Sequence, residues 1–466
     1  MEQPRETRKQ YHKMMEMPIP KLVASLAAPA VLSMLVTSAY NLTDTFFVSQ
    51  LGTSATGAVG VAYAVLAIIQ AIGYTLGLGS ASVISRLLGE KKSEEAGHTA
   101  AAGFYSSLLL GAVITAAGLL FNEEIMRLLG ATETILPLAV EYAVYIFWSA
   151  PLMCASFVLG CLLRAGGKAV LSMVGLCLGG VVNIALDPLF IFTFKMGISG
   201  AALATLVSQA ASFAVLLFPF FRRSSMLHLN PKAVFRRGKV YGAVLKAGMP
   251  SFCRQGFASV STAFLNGSAR AYGDAAVAAM SVVGRVSLLV ISLMIGLGQG
   301  FQPVIGYNYG GKQYGRVRKA FWFSLIVGTV LLAVLGAVCF FFAPQLMTLF
   351  RADDAGVIET GSFALRAQCV LFPLQPLIVL SNMLFQAVER PWQASVLSSA
   401  RQGLFFLPLI LILPGMLGLL GVQLVQPVAD ILTAVLCVPF LIVFFRGAKR
   451  RGAGPEGPAG HTGRES

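Results

Sequence analysis

The sequence has few charged residues and little histidine. Asp, Glu, Lys and Arg make up 12% of its 466 residues, whereas 56% are hydrophobic, and this balance excludes a soluble globular fold. It has four His and contains neither an H-E-x-x-H nor a G-x-S-x-G motif. The glycines near positions 77 and 298 are not followed by the Lys and Ser or Thr of a phosphate-binding loop. We therefore expect a protein that is not an enzyme and holds no cofactor.

The seven cysteines also lack the spacing of a functional cluster. All of them lie in apolar segments, without a C-x-x-C motif or a neighbouring His, so we predict neither a metal site nor a disulfide. The net charge of +15 does not indicate nucleic-acid binding, because the basic residues fall between apolar runs. Topology explains their distribution better.

Long apolar runs dominate the chain and predict an all-α polytopic membrane protein with twelve spans. The runs cover residues 22–49, 55–88, 97–120, 135–162, 169–194, 198–221, 243–269, 275–308, 319–345, 357–388, 393–415 and 420–445. We divide the chain into a cytoplasmic amino-terminal tail (1–21), an N-lobe of six spans (22–221), a cytoplasmic linker (222–242), a C-lobe of six spans (243–446) and a disordered cytoplasmic tail (447–466).

Loop charges predict the orientation. One set of loops, with the linker and both tails, holds nearly all Lys and Arg, including Arg86 and Arg401 in our count. The opposite set holds only Arg127, Lys195, Arg270 and Arg351. By the positive-inside rule both termini are cytoplasmic.

The two halves repeat at an offset of about 221 residues. Matched pairs are Pro29 and Pro250, Gly52 and Gly273, Gly77 and Gly298, Gly79 and Gly300, Gly89 and Gly310, and Gly197 and Gly418. Because each half has an even number of spans, both insert the same way up, and the lobes should be related by an axis along the membrane normal. Substrate would then bind between the lobes, and the glycines near 77 and 298 would permit close helix packing.

Polar residues within the fifth apolar run indicate a functional site. Asn183 and Asp187 are four residues apart and share a helix face, and an intramembrane carboxylate needs a partner or a cavity. Asp44 in the first run and Thr205 in the sixth lie at a similar depth, in the outer half of the bilayer. The alternative is that Asp187 only ends a helix before Pro188.

Other polar residues are weaker candidates for the substrate cavity or a gate. Arg254 and Arg285 lie inside apolar runs and would either pair with Asp430 on the twelfth run, which we favour, or contact an anionic substrate. Arg164 and Gln386 occupy matched positions just past the fourth and tenth spans and would hold the cytoplasmic gate or follow the positive-inside bias.

Several stretches resemble the multidrug and toxic compound extrusion (MATE) transporters, in the DinF-like branch that includes MepA-type pumps. They are NLTDTFFVSQLG from Asn41, NIALDP from Asn183, GISGAALAT from Gly197, GLGQGFQPVIGYNYGGKQYGRVRK from Gly296 and ARQGLFFLP from Ala400. Their order and spacing within the repeat make the resemblance specific, and it extends nearly end to end.

The resemblance implies a cation-coupled antiporter of the inner membrane with a central cavity between two six-helix lobes. In the DinF-like branch the cation site lies in the N-lobe, at positions that match Asp44, Asn183, Asp187 and Thr205. These residues would take H⁺ or Na⁺, and Asn41 would line the cavity. The substrates implied are amphipathic, often cationic, drugs, and we expect a monomer in the lipid bilayer. A flippase for a lipid-linked anionic precursor, from the same superfamily, remains the alternative, and a channel can be separated only by measuring gradient-coupled flux.

Overall fold

The computed structural model describes residues 5–221, 227, 229–230, 238–350 and 355–452, and every regular element within these ranges is helical. The first half contains α1 (Arg5–Glu16), α2 (Ile19–Ser49), α3 (Thr53–Gly89), α4 (Ser93–Leu120), α5 (Asn122–Leu128), α6 (Leu136–Ala165), α7 (Ala169–Pro188) and α8 (Gly197–Leu217). The second half contains α9 (Gly238–Arg270), α10 (Asp274–Gly310), α11 (Tyr314–Phe341), α12 (Ala343–Phe350), α13 (Ala355–Leu371), α14 (Gln375–Ala387), α15 (Pro391–Ser399), α16 (Phe406–Leu417) and α17 (Leu419–Gly452).

Twelve of the helical stretches correspond to the predicted spans. Eleven are long and apolar enough to cross a membrane, and the remaining span, α9, is long enough at 33 residues but more polar. Two spans continue through one turn of π-helix, Leu189–Thr193 after α7 and Ala400–Leu404 after α15. The tenth span is α13 and α14, joined by a short 3₁₀ turn. The prediction of an all-α, twelve-span architecture is therefore confirmed.

The ends of the lobes differ from the predicted ones. The amino-terminal segment forms the amphipathic helix α1, and the first span begins at Ile19. The seventh span begins at Gly238, and α17 runs to Gly452, six residues beyond the predicted C-lobe, because basic residues are compatible with a helix that leaves the bilayer. The rest of the predicted disordered tail, 453–466, and most of the linker lie outside the described residues.

Helix α1 is bound to the second half of the chain. Met14 is fully buried, and Arg316 on α11 donates Nη2 to the carbonyl oxygen of Met17 at 2.8 Å. Arg316 also donates Nε to Asn308 Oδ1 on α10 at 2.7 Å. The segment that the sequence presents as a tail therefore forms part of the packed structure.

Close helix contacts repeat the sequence symmetry. A Cβ added to Gly79 on α3 would lie 2.9 Å from the backbone nitrogen of Gly248 on α9, and a Cβ on Gly300 of α10 would overlap the backbone of Ala27 on α2. Positions 79 and 300, and positions 27 and 248, are both related by the offset of 221. Each half thus packs its second span against the first span of the other half, which only residues without a large side chain allow.

Tight turns also recur at this offset. Gly52 precedes α3 with φ 109°, and Gly273 precedes α10 with φ 94°, a backbone conformation that glycine adopts without strain. Both turns join the first two spans of their half. The repeat therefore specifies the loops as well as the helix contacts.

The halves meet at one end of the bundle, which we call the basic end and define by the turns 90–92 and 388–390. There Gly89 packs against the Tyr307 backbone, and Gly310 packs against the Arg86 backbone. On the face of α10 that meets α2, Ser292 contacts Ser38 with their hydroxyl oxygens 3.0 Å apart. Beyond this contact Asn41 on α2 and Arg285 on α10 are exposed, which indicates an open cleft between the lobes.

Candidate functional site

The cleft is lined by matching faces of α2, α3, α9 and α10. Arg285 and Leu288 lie on the Ser292 face of α10, nearer the open end, and both are exposed. Tyr63 is 54% exposed and lies three turns along α3 from Tyr74, on the same face. The cleft therefore starts at the level of Ser292 and Tyr74 and widens toward the end opposite the basic end.

Glycines on α7 set up the pocket that holds the predicted cation site. Gly179 allows α8 to approach through Ser212, and Gly180 faces Val36 and Tyr40 of α2. The α7 residues that follow on these faces are therefore enclosed between the first and sixth spans. Asn183 is 2% exposed and Asp187 is fully buried.

Pro188 does not end the helix. Its ring nitrogen cannot donate a hydrogen bond, and the span continues as the π-helix Leu189–Thr193, in which Phe194 N donates to Leu189 O at 2.9 Å. Gly200 at the start of α8 packs directly on the Phe190 backbone in this turn. The interpretation of Asp187 as a helix-end residue is therefore wrong, because packing of α8 supports the span on both sides of the proline.

Three oxygen atoms in this pocket are buried without a hydrogen-bond partner among the described residues. They are Oδ1 of Asp44, Oδ1 of Asn183 and Oδ2 of Asp187. Asn183 Nδ2 donates to the other carboxylate oxygen of Asp187 at 3.4 Å, and the charge of Asp44 acts on Asp187. Two carboxylates in one desolvated pocket cannot both ionise cheaply unless a proton or cation is bound. Unpartnered carboxylate and amide oxygens are suitable ligands for a hard monovalent cation such as Na⁺.

Tyr142 is a member of this pocket that sequence reasoning missed. It is 1% exposed on α6 and lies near Thr205, Asp44 and Asp187. The predicted site residues therefore surround one common pocket; they are Asp44, Asn183, Asp187 and Thr205. The sequence alone could have indicated Tyr142, because it lies near the outer end of the fourth span, at a depth similar to that of Asp44 in the first span.

Three further candidates take different positions. Asn41 is exposed one turn from Ser38 on α2 and lines the cleft. Arg164 is buried within the N-lobe, where Nη1 donates to Ser172 Oγ at 2.8 Å. Gln386 is buried in the C-lobe and donates to Ala247 O at 2.7 Å. Arg164 and Gln386 lie inside the last helical turns of their spans rather than past them.

The predicted pairing of Asp430 with Arg254 or Arg285 is wrong. Arg401 Nε donates to Asp430 Oδ1 at 2.7 Å, and Gln426 and Gln375 donate to the same carboxylate at 2.9 and 2.5 Å. Arg401 was counted with the loops, but it lies in the π-helix inside the span Pro391–Leu417. An arginine inside a span is stable only when its charge is compensated, and Asp430 on α17 compensates Arg401.

The two arginines that the prediction paired with Asp430 lie on the cleft. The guanidinium of Arg254 lies over the Tyr74 ring of the opposite lobe, 5.9 Å from its centroid, and Arg285 is exposed. A residue outside the prediction, Arg366, makes a similar contact with Phe340 at 5.6 Å, away from α2 and α3. No group of three or more His, Cys, Asp or Glu that could hold a metal ion occurs among the described residues.

Comparison with known proteins gives consistent matches. The family model described as MatE matches residues 29–189 and 250–412. The multidrug export protein MepA of Staphylococcus aureus (strain MRSA252) is 27% identical over 428 residues, which is 92% of this chain and 94% of MepA.

Two solved structures share the fold. An outward-facing multidrug resistance MATE transporter of the MOP superfamily matches with a TM-score of 0.90 and 26% identity, over 96% of this chain and 100% of that chain. A MOP superfamily transporter from Pyrococcus furiosus, described as having a binding pocket of reverse polarity that suggests a different function, matches with a TM-score of 0.89 and 27% identity, over 95% and 99% of the chains.

Proposed function

Because this chain belongs to the MATE family, we propose that it is a cation-coupled multidrug antiporter. It exports amphipathic, often cationic, compounds in exchange for H⁺ or Na⁺ that enters through the pocket of Asp44, Asn183, Asp187 and Thr205. The observation that carries the proposal is the set of three unpartnered oxygens on Asp44, Asn183 and Asp187. The name of the Staphylococcus aureus relative, a multidrug export protein, supports the substrate class.

The exchange follows from competition between two arrangements of the lobes. A cation bound at Asp44 and Asp187 removes their mutual repulsion and favours one arrangement, whereas the drug favours the other. Each ligand then expels the other through its differential affinity for the two states. Bound Na⁺ would be held by the carboxylate and amide oxygens, whereas H⁺ would be carried by the carboxylate pair itself.

Orientation completes the proposal. The positive-inside rule puts the basic end, and both termini, in the cytoplasm of a bacterial cell. The lobes described above are joined at that end, so the cleft opens outward. In this arrangement the cation pocket lies near the outer ends of α2 and α7, on the side of the membrane from which the ions enter. We expect the unit to be a monomer in the inner membrane.

The test is transport in proteoliposomes with the proton and sodium gradients imposed separately. Gradient-driven accumulation of a cationic dye such as rhodamine 123 under one gradient supports the antiporter and identifies the coupling ion. Downhill flux that neither gradient can drive uphill would identify a channel and reject the proposal.

A second candidate is a flippase for a lipid-linked anionic precursor. It is favoured by Arg254 and Arg285, neither of which forms an ion pair with a described residue, and by the reverse-polarity pocket of the Pyrococcus furiosus relative. Dye retention in a pump-deficient bacterium separates the two functions. Unchanged retention on overproduction, with a lipid precursor accumulating on depletion, would favour the flippase.

A further inference from the structure

Arg254 occupies the floor of the cleft, where the lobes begin to touch. It lies six residues along α9 from Gly248, whose Cα position packs against the Thr75 backbone of α3. Among the described residues its only partner is the Tyr74 ring. A guanidinium has five N–H donors, and an aromatic face offers them no lone pair. The partly buried side chain therefore keeps N–H donors that the Tyr74 ring does not satisfy.

Asp430, which the sequence analysis paired with Arg254, does not neutralise it. Both oxygens of Asp430 already accept hydrogen bonds, from Arg401 and Gln426 on one side and from Gln375 on the other. The charge of Asp430 is therefore already compensated by Arg401. An uncompensated arginine at this depth is costly unless an anion or water accompanies it.

A second arginine lies on the same wall nearer the mouth. Arg285 is exposed and forms no ion pair with a described residue. Counting from the turn between α9 and α10, Arg254 lies about 8 Å deeper than Arg285 at 1.5 Å per residue. The C-lobe wall is therefore basic at two depths, whereas in the opposite lobe Asp187 is fully buried and Asp44 is half-buried.

We propose that Arg254 binds the anionic group, a carboxylate or phosphate, of an amphipathic substrate. Arg285 attracts the group at the mouth, and the rings of Tyr74 and Phe157, whose centroids are 4.8 Å apart, pack against the apolar part of the ligand. This inference rests on the proposed transport function and narrows its substrate class. Zwitterionic and anionic amphiphiles should bind better than purely cationic ones of the same shape.

The test uses two dyes that differ only at one carboxylate. Rhodamine 110 has a free carboxylate, and rhodamine 123 is its methyl ester and a cation. Binding to the purified full-length protein in detergent is measured by fluorescence polarisation. We expect the wild type to prefer rhodamine 110, and Arg254→Gln to lower that affinity about tenfold, as for loss of a charge-assisted hydrogen bond, with rhodamine 123 little changed.

Matched variants separate the site from general damage. Arg366→Gln removes an arginine with the same kind of ring contact outside the cleft and should change neither affinity. Arg285→Gln should weaken rhodamine 110 less than Arg254→Gln does, and Arg254→Lys should keep part of the preference. The comparison of the two dyes on the wild type needs no variant, so it tests the site even if Arg254→Gln fails to fold. Equal affinities, or a preference for rhodamine 123, overturn the proposal.

The test distinguishes a failure of this anion site from a failure of the proposed antiporter function. If rhodamine 123 is driven by a gradient but Arg254→Gln binds rhodamine 110 as the wild type does, the anion site is wrong and the antiporter stands. If rhodamine 110 binding depends on Arg254 but neither dye is driven by either gradient, the site stands and the drug antiporter fails. Competition with farnesyl diphosphate distinguishes the sources of the anion: displacement of rhodamine 110 supports a phosphate-bearing lipid, and its absence supports a carboxylate-bearing drug.

Discussion

Arg86 of α3 and Glu389, in the turn after α14, form an ion pair across the two lobes, with Nη2 and Oε1 2.5 Å apart. Their side chains are 23% and 34% exposed, and Arg86 also lies 3.6 Å from Glu90. Nearby, Gln302 of α10 donates to Ser82 of α3 at 2.6 Å. The basic end of the bundle is therefore held closed by polar contacts as well as by packed glycines.

The two partners of this ion pair should not be equivalent. Burial raises the pKa of the Glu389 carboxyl, and Arg86 partly offsets the increase. Arg86→Gln leaves a desolvated carboxylate near Glu90, so the lobes should separate more readily, by about fivefold for a partly exposed pair worth ~1 kcal/mol. Glu389→Gln also removes the desolvated charge and should have a smaller effect. Labelling of a cysteine placed at Ser82, in a background without native cysteines, measures the separation.

A control for this comparison is Lys92→Gln. Lys92 pairs with Glu90 at 2.7 Å within the N-lobe and does not connect the lobes. Its loss should leave the labelling rate at position 82 unchanged. Equal labelling of Arg86→Gln and wild type would show that the pair does not hold the lobes together.

The Arg86→Gln variant should respond to pH. Without Arg86, the pKa of Glu389 rises further in the closed arrangement, whereas a solvated carboxyl in the open arrangement keeps its ordinary value. The closed arrangement then binds the proton more tightly, so lowering the pH through the raised pKa stabilises closure. Labelling at position 82 should slow in acid for this variant. Faster labelling in acid would contradict the assignment, and Arg86→Gln combined with Glu389→Gln should lose this pH response.

Asp44→Asn and Asp187→Asn should each abolish gradient-driven efflux while the protein stays folded and binds drug. Each change removes one charge from the pocket proposed to hold the cation through both carboxylates, so the differential affinity for the two lobe arrangements should be lost. Drug efflux under an imposed gradient is the measurement, and chromatography in detergent checks folding.

The matched control for these acids is Asp430→Asn in the other lobe, which should leave coupling in place. Loss of coupling in Asp430→Asn alone, with both N-lobe variants still pumping, would move the cation site to the C-lobe.

The buried pair of Arg401 and Asp430 should contribute to stability rather than to coupling. Asp430 is held by three donors and Arg401 is only 16% exposed, so Asp430→Ala or Arg401→Ala leaves an uncompensated charge and should cost about 3–5 kcal/mol. The double replacement Arg401→Met with Asp430→Leu should cost less, because neither charge remains. Thermal unfolding in detergent measures both. Equal destabilisation by single and double replacements would show that the charge is not the cause.

The orientation of the chain is tested at two loops. A cysteine at Thr53, which begins α3 at the open end, should label from outside, and one at Lys232 only from inside. Position 232 lies outside the described residues, so this prediction depends on the charge distribution alone. Labelling of position 232 in intact cells would reject the proposed topology.

Hydropathy and the repeat at 221 residues were sufficient to predict the twelve spans and the two-lobe repeat, with glycines that permit close helix packing. Gly79 and Gly300 could be paired from their spacing alone, and the structure packs each against the first span of the other half. The grouping of Asp187 with Asp44 followed from depth and from the MATE resemblance. These features are encoded along single helices or in the repeat, where periodicity determines which residue types share a face.

Tertiary structure decided the partners of the polar side chains. Asp430 pairs with Arg401 rather than Arg254, Tyr142 joins the acid pocket, and α1 is held by Arg316. Each depends on the rotation of a helix about its axis and on which neighbour it meets, and depth in the membrane fixes neither. The sequence therefore determined the spans and the lobes, whereas packing determined which charges are neutralised and left Arg254 on the cleft.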